Sequence, residues 1–131
     1  MMAFIKGAAG STVVHVLFAF AAMGGWAVYA NWGHPMPAPF IAGVLQGAMS
    51  GTITYFLKTG VDALRARLPR AFGAWAPPLI ACSISAAVLV SIHAASGTPE
   101  VAATVAVPLT VATSYAIIYN FMRFMAERNA T

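Results

Sequence analysis

Between Lys6 and Lys58 the chain contains no Asp, Glu, Lys or Arg, and the same is true from Ala71 to Pro99 and from Val101 to Met122. Nothing else in the sequence restricts its folding as much. A helix needs about 20 apolar residues to cross roughly 30 Å of hydrocarbon, and these charge-free gaps are long enough to hold such helices. Charged residues make up 8% of the 131 positions and hydrophobic ones 60%, whereas an ordinary soluble domain is about a quarter charged. A water-soluble globule is not expected.

Breaks in the apolar sequence divide it into four spans. The first covers about 12–32 and ends at "GHPMPAP", a proline-rich stretch that cannot continue a helix. The second covers about 40–57, the third 77–96 and the fourth 101–122, with a basic loop at 58–76. "KTGVDALRARL" can extend the second span as a helix as far as Pro69. In lipid each span must satisfy its own backbone hydrogen bonds. The segments are twice as long as barrel strands and lack sustained two-residue alternation, so helices are predicted. The expected fold is all-α: one polytopic membrane domain of four transmembrane helices.

Lys58, Arg65, Arg67 and Arg70 fall between spans two and three, and Arg123 and Arg128 follow span four, while the other two loops carry only Glu100. By the positive-inside rule the central loop and both termini are cytoplasmic, in the inner (plasma) membrane. Trp32 and Trp75 then mark opposite interfaces. Topology explains the net charge of +4, and no basic patch with a base-stacking platform points to nucleic acid. The apolar region of span one exceeds the usual length of a cleaved signal peptide, and a single lysine precedes it, so the span is expected to be retained.

Within span two, "GVLQGAMSGTITY" carries two stripes at helical spacing. Gly43, Gly47 and Gly51 form a groove without side chains, on which another helix can pack closely. Gln46, Ser50 and Thr54 lie about 100° round the same helix and border that groove. They can hydrogen-bond between helices or line a polar cavity that touches a substrate. Span four offers a counterpart: sliding Ser50 onto Thr110 also brings Thr54 onto Ser114, Tyr55 onto Tyr115 and Pro39 onto Pro99. Two tandem helical hairpins in the same orientation would result, as in the parallel repeats of some transporters. Pro108 should bend span four near its middle and free the carbonyl of Thr104.

Groups able to do chemistry are sparse. No ionisable Asp, Glu, Lys or Arg lies deep in a span, so the carboxylate of a proton-coupled antiporter is missing. His34, His93 and Met36 could suit copper or haem, yet no spacing motif supports this, and no metal or cofactor is expected. Cys82 reads as a buried thiol without an internal partner. No nucleophile has a neighbouring base and no carboxylates are paired, so an enzyme is not expected. In "KTGVDALRARLPR", Val61, Leu64 and Leu68 form an apolar face with Arg65 and Arg67 opposite, a pattern that can lie along the inner interface. Lys58, Arg65, Arg67, Arg70 and Arg123 could there meet lipid phosphates, with Asp62 and Arg65 as a weak exposed pair.

The overall plan, together with "FIKGAAGSTVVHVLF" near the start and "YNFMRF" (Asn120, Phe121, Arg123) closing the second hairpin, resembles the GtrA-like family of small four-helix membrane proteins. "TYFLK", with Phe56 and Lys58, is a poorer version that lacks the Asn. The resemblance implies flipping of a polyprenol-linked sugar. Two function classes follow for the chain. One is a small carrier or flippase, acting as a homo-oligomer, whose cavity between spans two and four is lined by Gln46, Ser50, Thr54, Tyr55, Thr110, Ser114 and Tyr115. The other is an accessory subunit that docks the glycine groove onto a larger membrane complex.

Overall fold

The computed structural model describes the backbone of residues 2–131 and the side chains of residues 13–131. Four helices follow one another: α1 (Met2–Ala30), α2 (Ala38–Arg67), α3 (Ala76–Ala95) and α4 (Val101–Asn129), with a single 3-10 turn at Arg70–Phe72. All four are long and apolar enough to cross a membrane, and no strand occurs among the described residues. The chain is an all-α, four-helix membrane protein. The side chains of the "FIKGAAGST" opening, Lys6 included, lie outside the described residues.

Local chemistry sets the helix ends. Pro39 sits in the first turn of α2 and Pro77 and Pro78 in the first turn of α3, where a missing N–H costs nothing. At the other end of α2, Leu68 is forced into extended backbone (φ −88°, ψ 146°) by the proline that follows it. Helix α3 stops at Gly97, whose φ of 73° is in the left-handed region that favours glycine. The Thr98 N–H then reaches back to the His93 carbonyl at 3.0 Å, closing a Schellman turn.

Two helices run on past their membrane spans. Helix α2 continues beyond Leu57 to Arg67, as the helical extension towards Pro69 allowed, but within the bundle and not along an interface. Val61 is fully buried, and Leu64 packs on the cluster of Leu57, Val61, Ala81 and Ala116 between α2, α3 and α4. The basic loop shrinks to about 68–75 as a result. Helix α4 likewise runs past Met122 to Asn129, because Glu127 finds a partner on α2.

The closest approach in the bundle is between α1 and α2. Val16, Phe20, Gly24 and Val28 recur every fourth residue on α1 and meet Gly51, Gly47 and Gly43 running the other way on α2. A Cβ at Gly47 would stand 2.9 Å from the Phe20 carbonyl oxygen, and one at Gly24 would stand 2.8 Å from that of Gly43. Backbone therefore lies against backbone. The glycine groove is filled by α1 of the same chain and is not open for docking a separate subunit, since any incoming helix would have to displace α1. Helices α2 and α4 form the central pair, with α1 and α3 against both. The outward faces carry large apolar side chains such as Leu17, Phe18, Val44, Ile84, Ile117 and Ile118, as lipid-facing helices do.

Gly60, by contrast, has open space where a Cβ would go. Gly47→Leu should lower the melting temperature in detergent sharply, since overpacking costs about 1–3 kcal/mol or more. Gly60→Ala should hold or raise it, by up to ~1 kcal/mol of helix propensity. Equal effects at the two sites would contradict the close α1–α2 contact.

Candidate functional site

Among the described residues, four polar clusters and a mid-bundle cavity stand out in the interior. Nearest the α1–α2 turn, Asn31 is completely buried and ties α1 to the start of α4. Its Nδ2 donates to the Ala27 carbonyl (2.8 Å) and to Thr104 Oγ1 (2.7 Å), and its Oδ1 accepts the Glu100 N–H (3.0 Å). Thr104 Oγ1 donates to the Glu100 carbonyl, and Asn31 Oδ1, by taking the Glu100 N–H, satisfies one of the donors that a helix start leaves without an intrahelical partner. His34 pairs with the Glu100 carboxylate at 2.9 Å on the exposed rim.

One layer further in, a chain of hydrogen bonds links Thr98, His93, Gln46 and Ser50. All four residues are buried, Gln46 and His93 fully. Gln46 Nε2 donates to Ser50 Oγ at 2.8 Å, so its Oε1 is left to accept from His93 Nε2, also at 2.8 Å. His93 Nδ1 is then the acceptor for the Thr98 hydroxyl at 2.7 Å. The Schellman turn at Gly97 is what places Thr98 over the ring. Both imidazole nitrogens are engaged with side chains of this chain, and no metal-ligating group of three or more His, Cys, Asp or Glu occurs among the described residues.

Below Ser50 lies a cavity of about 200 Å³ between α1, α2 and α4. Its walls are Phe18 and Met23 from α1, Ser50, Ile53 and Leu57 from α2, and Pro108, Val111, Ala112 and Tyr115 from α4, with Leu89 of α3 behind. Thr54 is exposed at the mouth, its hydroxyl turned back to the Ser50 carbonyl at 2.8 Å. Ser50 Oγ accepts from the Gln46 amide and borders the cavity. One turn beyond the mouth, Tyr115 stacks on Tyr119 (centroids 6.0 Å apart, planes 12°), and the Lys58 ammonium stands over the Tyr119 ring at 5.9 Å. Tyr119 donates to Asp62 Oδ2 at 2.7 Å, and Arg123 Nε approaches Asp62 Oδ1 at 3.4 Å.

The last cluster closes the arginine-rich end. The Arg65 side chain, only 6% exposed, donates from one nitrogen to the Gly73 carbonyl and to Asn120 Oδ1, both at 2.9 Å, and grips Glu127 with its other two. Asn120, fully buried, donates to the Gly73 and Ala74 carbonyls at 3.0 and 2.9 Å. Helix α2, the 68–75 connection and α4 are thus held at one point.

The residues expected to line one substrate cavity are therefore divided. Ser50, Thr54 and Tyr115 meet at it, whereas Gln46 lies behind Ser50 and is spent on His93. Thr110 and Ser114 are on the outer face of α4, because each precedes a wall residue, Val111 or Tyr115, by one position and so lies about 100° round the helix. Thr110 bonds back to Ala106, and Tyr55 is exposed beside Phe56. Ser50 is buried and Thr110 exposed, so the two members of the expected repeat occupy unlike environments. Among the basic residues, Arg65 is internal rather than lipid-facing, Asp62 pairs with Arg123 rather than with Arg65, and Arg67 is exposed. Arg70 borders a hollow shared with Arg128.

The buried partners Asn31, His93 and Asn120 had one sequence signal, a polar side chain near a span end, but nothing in the sequence says which residue each one meets. No family model, curated protein or solved structure matches the chain.

His93→Leu should destabilise strongly, because it leaves Gln46 Oε1 and the Thr98 hydroxyl without their partner in the bundle, at a cost of about 1–3 kcal/mol for each buried group. His93→Leu with Gln46→Leu should cost less than the sum of the single changes. Thermal unfolding in detergent measures the cycle, and strict additivity would mean the two side chains are not coupled.

Proposed function

We propose that this chain is a small inner-membrane carrier or flippase for a lipid-linked polar substrate, acting as an oligomer, with its arginine-rich end and both termini in the cytoplasm. The observation behind this reading is the cavity beside Pro108. Its walls are almost wholly apolar, and its polar groups are confined to Ser50, Thr54 and Tyr115. At about 200 Å³ it is smaller than the roughly 300–1,000 Å³ typical of sites that enclose a whole ligand. It suits a length of hydrocarbon chain better than a sugar.

The polar head would then stay one turn away, where Lys58, Tyr119 and Arg123 border the same α2–α4 seam. Lys58 and Arg123 supply the positive charge that a phosphate linkage needs. Phe18 and Thr54, both exposed at the mouth, leave the cavity open towards lipid, the side from which a lipid-linked molecule would enter. A second copy could complete that wall. The layout resemblance to the GtrA-like family points the same way, and the clustering of Lys and Arg at one end supports the orientation.

Ala112→Phe fills the cavity without adding charge. In proteoliposomes carrying a fluorescent polyprenyl-phosphate sugar, the natural chain should speed transbilayer movement over protein-free vesicles. Ala112→Phe should abolish the gain at an unchanged melting temperature. No gain from the natural chain would sink the carrier reading, and steady copurification of a different subunit would favour an accessory role instead.

A further inference from the structure

A second hollow, of about 350 Å³, opens between the 3-10 turn and the last two turns of α4. It is separate from the mid-bundle cavity. Arg65, Arg70 and Arg128 border it against a single acidic side chain, Glu127, with Phe124 and Leu68 as apolar flank. The guanidinium groups of Arg70 and Arg128 make no ion pair or hydrogen bond among the described residues. Three arginines and one acidic side chain border the hollow, which leaves an excess of positive side-chain charge at a concave site. Arg is the side chain whose planar fork matches phosphate oxygens in pairs.

How Arg65 is held sharpens the assignment. Its side chain is 6% exposed while that of Glu127 is 47% exposed. Asn120 and the Gly73 carbonyl fix the inner edge of the guanidinium, and Glu127 covers the outer edge from the solvent side. Glu127 is therefore the replaceable member of the pair. Its two oxygens sit where two oxygens of an incoming phosphate would sit, and a phosphate taking that place would also come within the hollow that Arg70 and Arg128 border. A carboxylate offers one negative charge to three arginines, whereas a phosphate monoester offers nearly two.

We infer that this hollow is a binding site for a phosphate monoester group, occupied in its absence by Glu127 as an internal substitute anion. A lipid headgroup and a soluble phosphate ester share this chemistry. Because the hollow lies at the arginine-rich end of a membrane-spanning bundle, a headgroup such as that of phosphatidic acid reaches it from the bilayer edge.

The test uses the full chain in a neutral detergent, with short-chain phosphatidic acid, short-chain phosphatidylcholine and glycerol phosphate as separate probes. Melting temperature and native mass spectrometry are the two readouts. Phosphatidic acid should raise the melting temperature of the natural chain and phosphatidylcholine should not. Arg70→Gln with Arg128→Gln should weaken that binding on the order of tenfold, as expected for lost charge-assisted hydrogen bonds. Glu127→Gln should start from a lower melting temperature, having lost its ion pair, yet bind phosphatidic acid several-fold more tightly. A purely structural clasp predicts the lower start without the tighter binding, and that result would overturn the inference. So would unchanged binding in the double arginine variant. An equal response to glycerol phosphate would support the site and identify its ligand as a soluble phosphate ester.

Discussion

A polar group without a partner in hydrocarbon costs several kcal/mol, and no water is present to supply the partner. In this chain that constraint decides which helices meet and at what height. Asn31 finds Thr104 and the start of α4, Gln46 finds His93 on α3, and Asn120 finds Arg65 on α2 together with two carbonyls of the 68–75 connection. Each of these side chains is fully buried, apart from Arg65, whose one open edge is closed by Glu127. Apolar burial gives membrane helices little reason to choose one neighbour over another. The polar contacts supply that choice, binding α1 to α4, α2 to α3 and α2 to α4.

Much of the architecture could be read from the chain because hydrocarbon thickness translates directly into lengths of charge-free sequence. The four helices and the proline-set ends of α2 and α3 follow from that and from backbone sterics. Where the reading fell short, it did so at two kinds of place. Asp62 and Arg65 look like solvated flanks in sequence, yet partners about 60 residues away hold them against α4, while Lys58 and Glu127 stay exposed and meet the bundle from outside. Thr110 and Ser114 look like a second polar stripe, but their phase on α4 turns them outward, and helical spacing alone does not say which stripe faces the bundle. Of the candidate site, the hydroxyl of Ser50 and the proline at 108 were legible. The imidazole behind Ser50 was not, since a histidine at a span end carries no sign of what it touches.

The interior therefore separates by chemistry along its length. Hydrogen-bonded side chains fill the end where α1 turns into α2, an apolar cavity occupies the middle, and charge collects at the other end. Ser50 stands at the junction of the first two, with its oxygen accepting from the Gln46 amide and its side chain in the cavity wall. Tyr115 and Tyr119 stand at the junction of the last two, with aromatic faces that suit both hydrocarbon and cation. A molecule with an apolar chain and an anionic head would find its two halves matched in that order.

The α1–α2 contact also bears on how the bundle can move. Where Gly24 and Gly47 meet carbonyl oxygens of the facing helix, there is almost no side chain to change rotamer, so the pair has few alternative packings at similar energy. Sliding α1 by a single turn would carry Phe20 off Gly47 together with Val16 off Gly51 and Val28 off Gly43, so these close contacts would all be lost at once. Helices α3 and α4, by contrast, meet the rest through Leu89, Tyr115 and other side chains that can rotate. The first hairpin is thus a stiff frame, and any breathing of the cavity has to spare the Asn31, Gln46 and Asn120 contacts that tie the second hairpin to it.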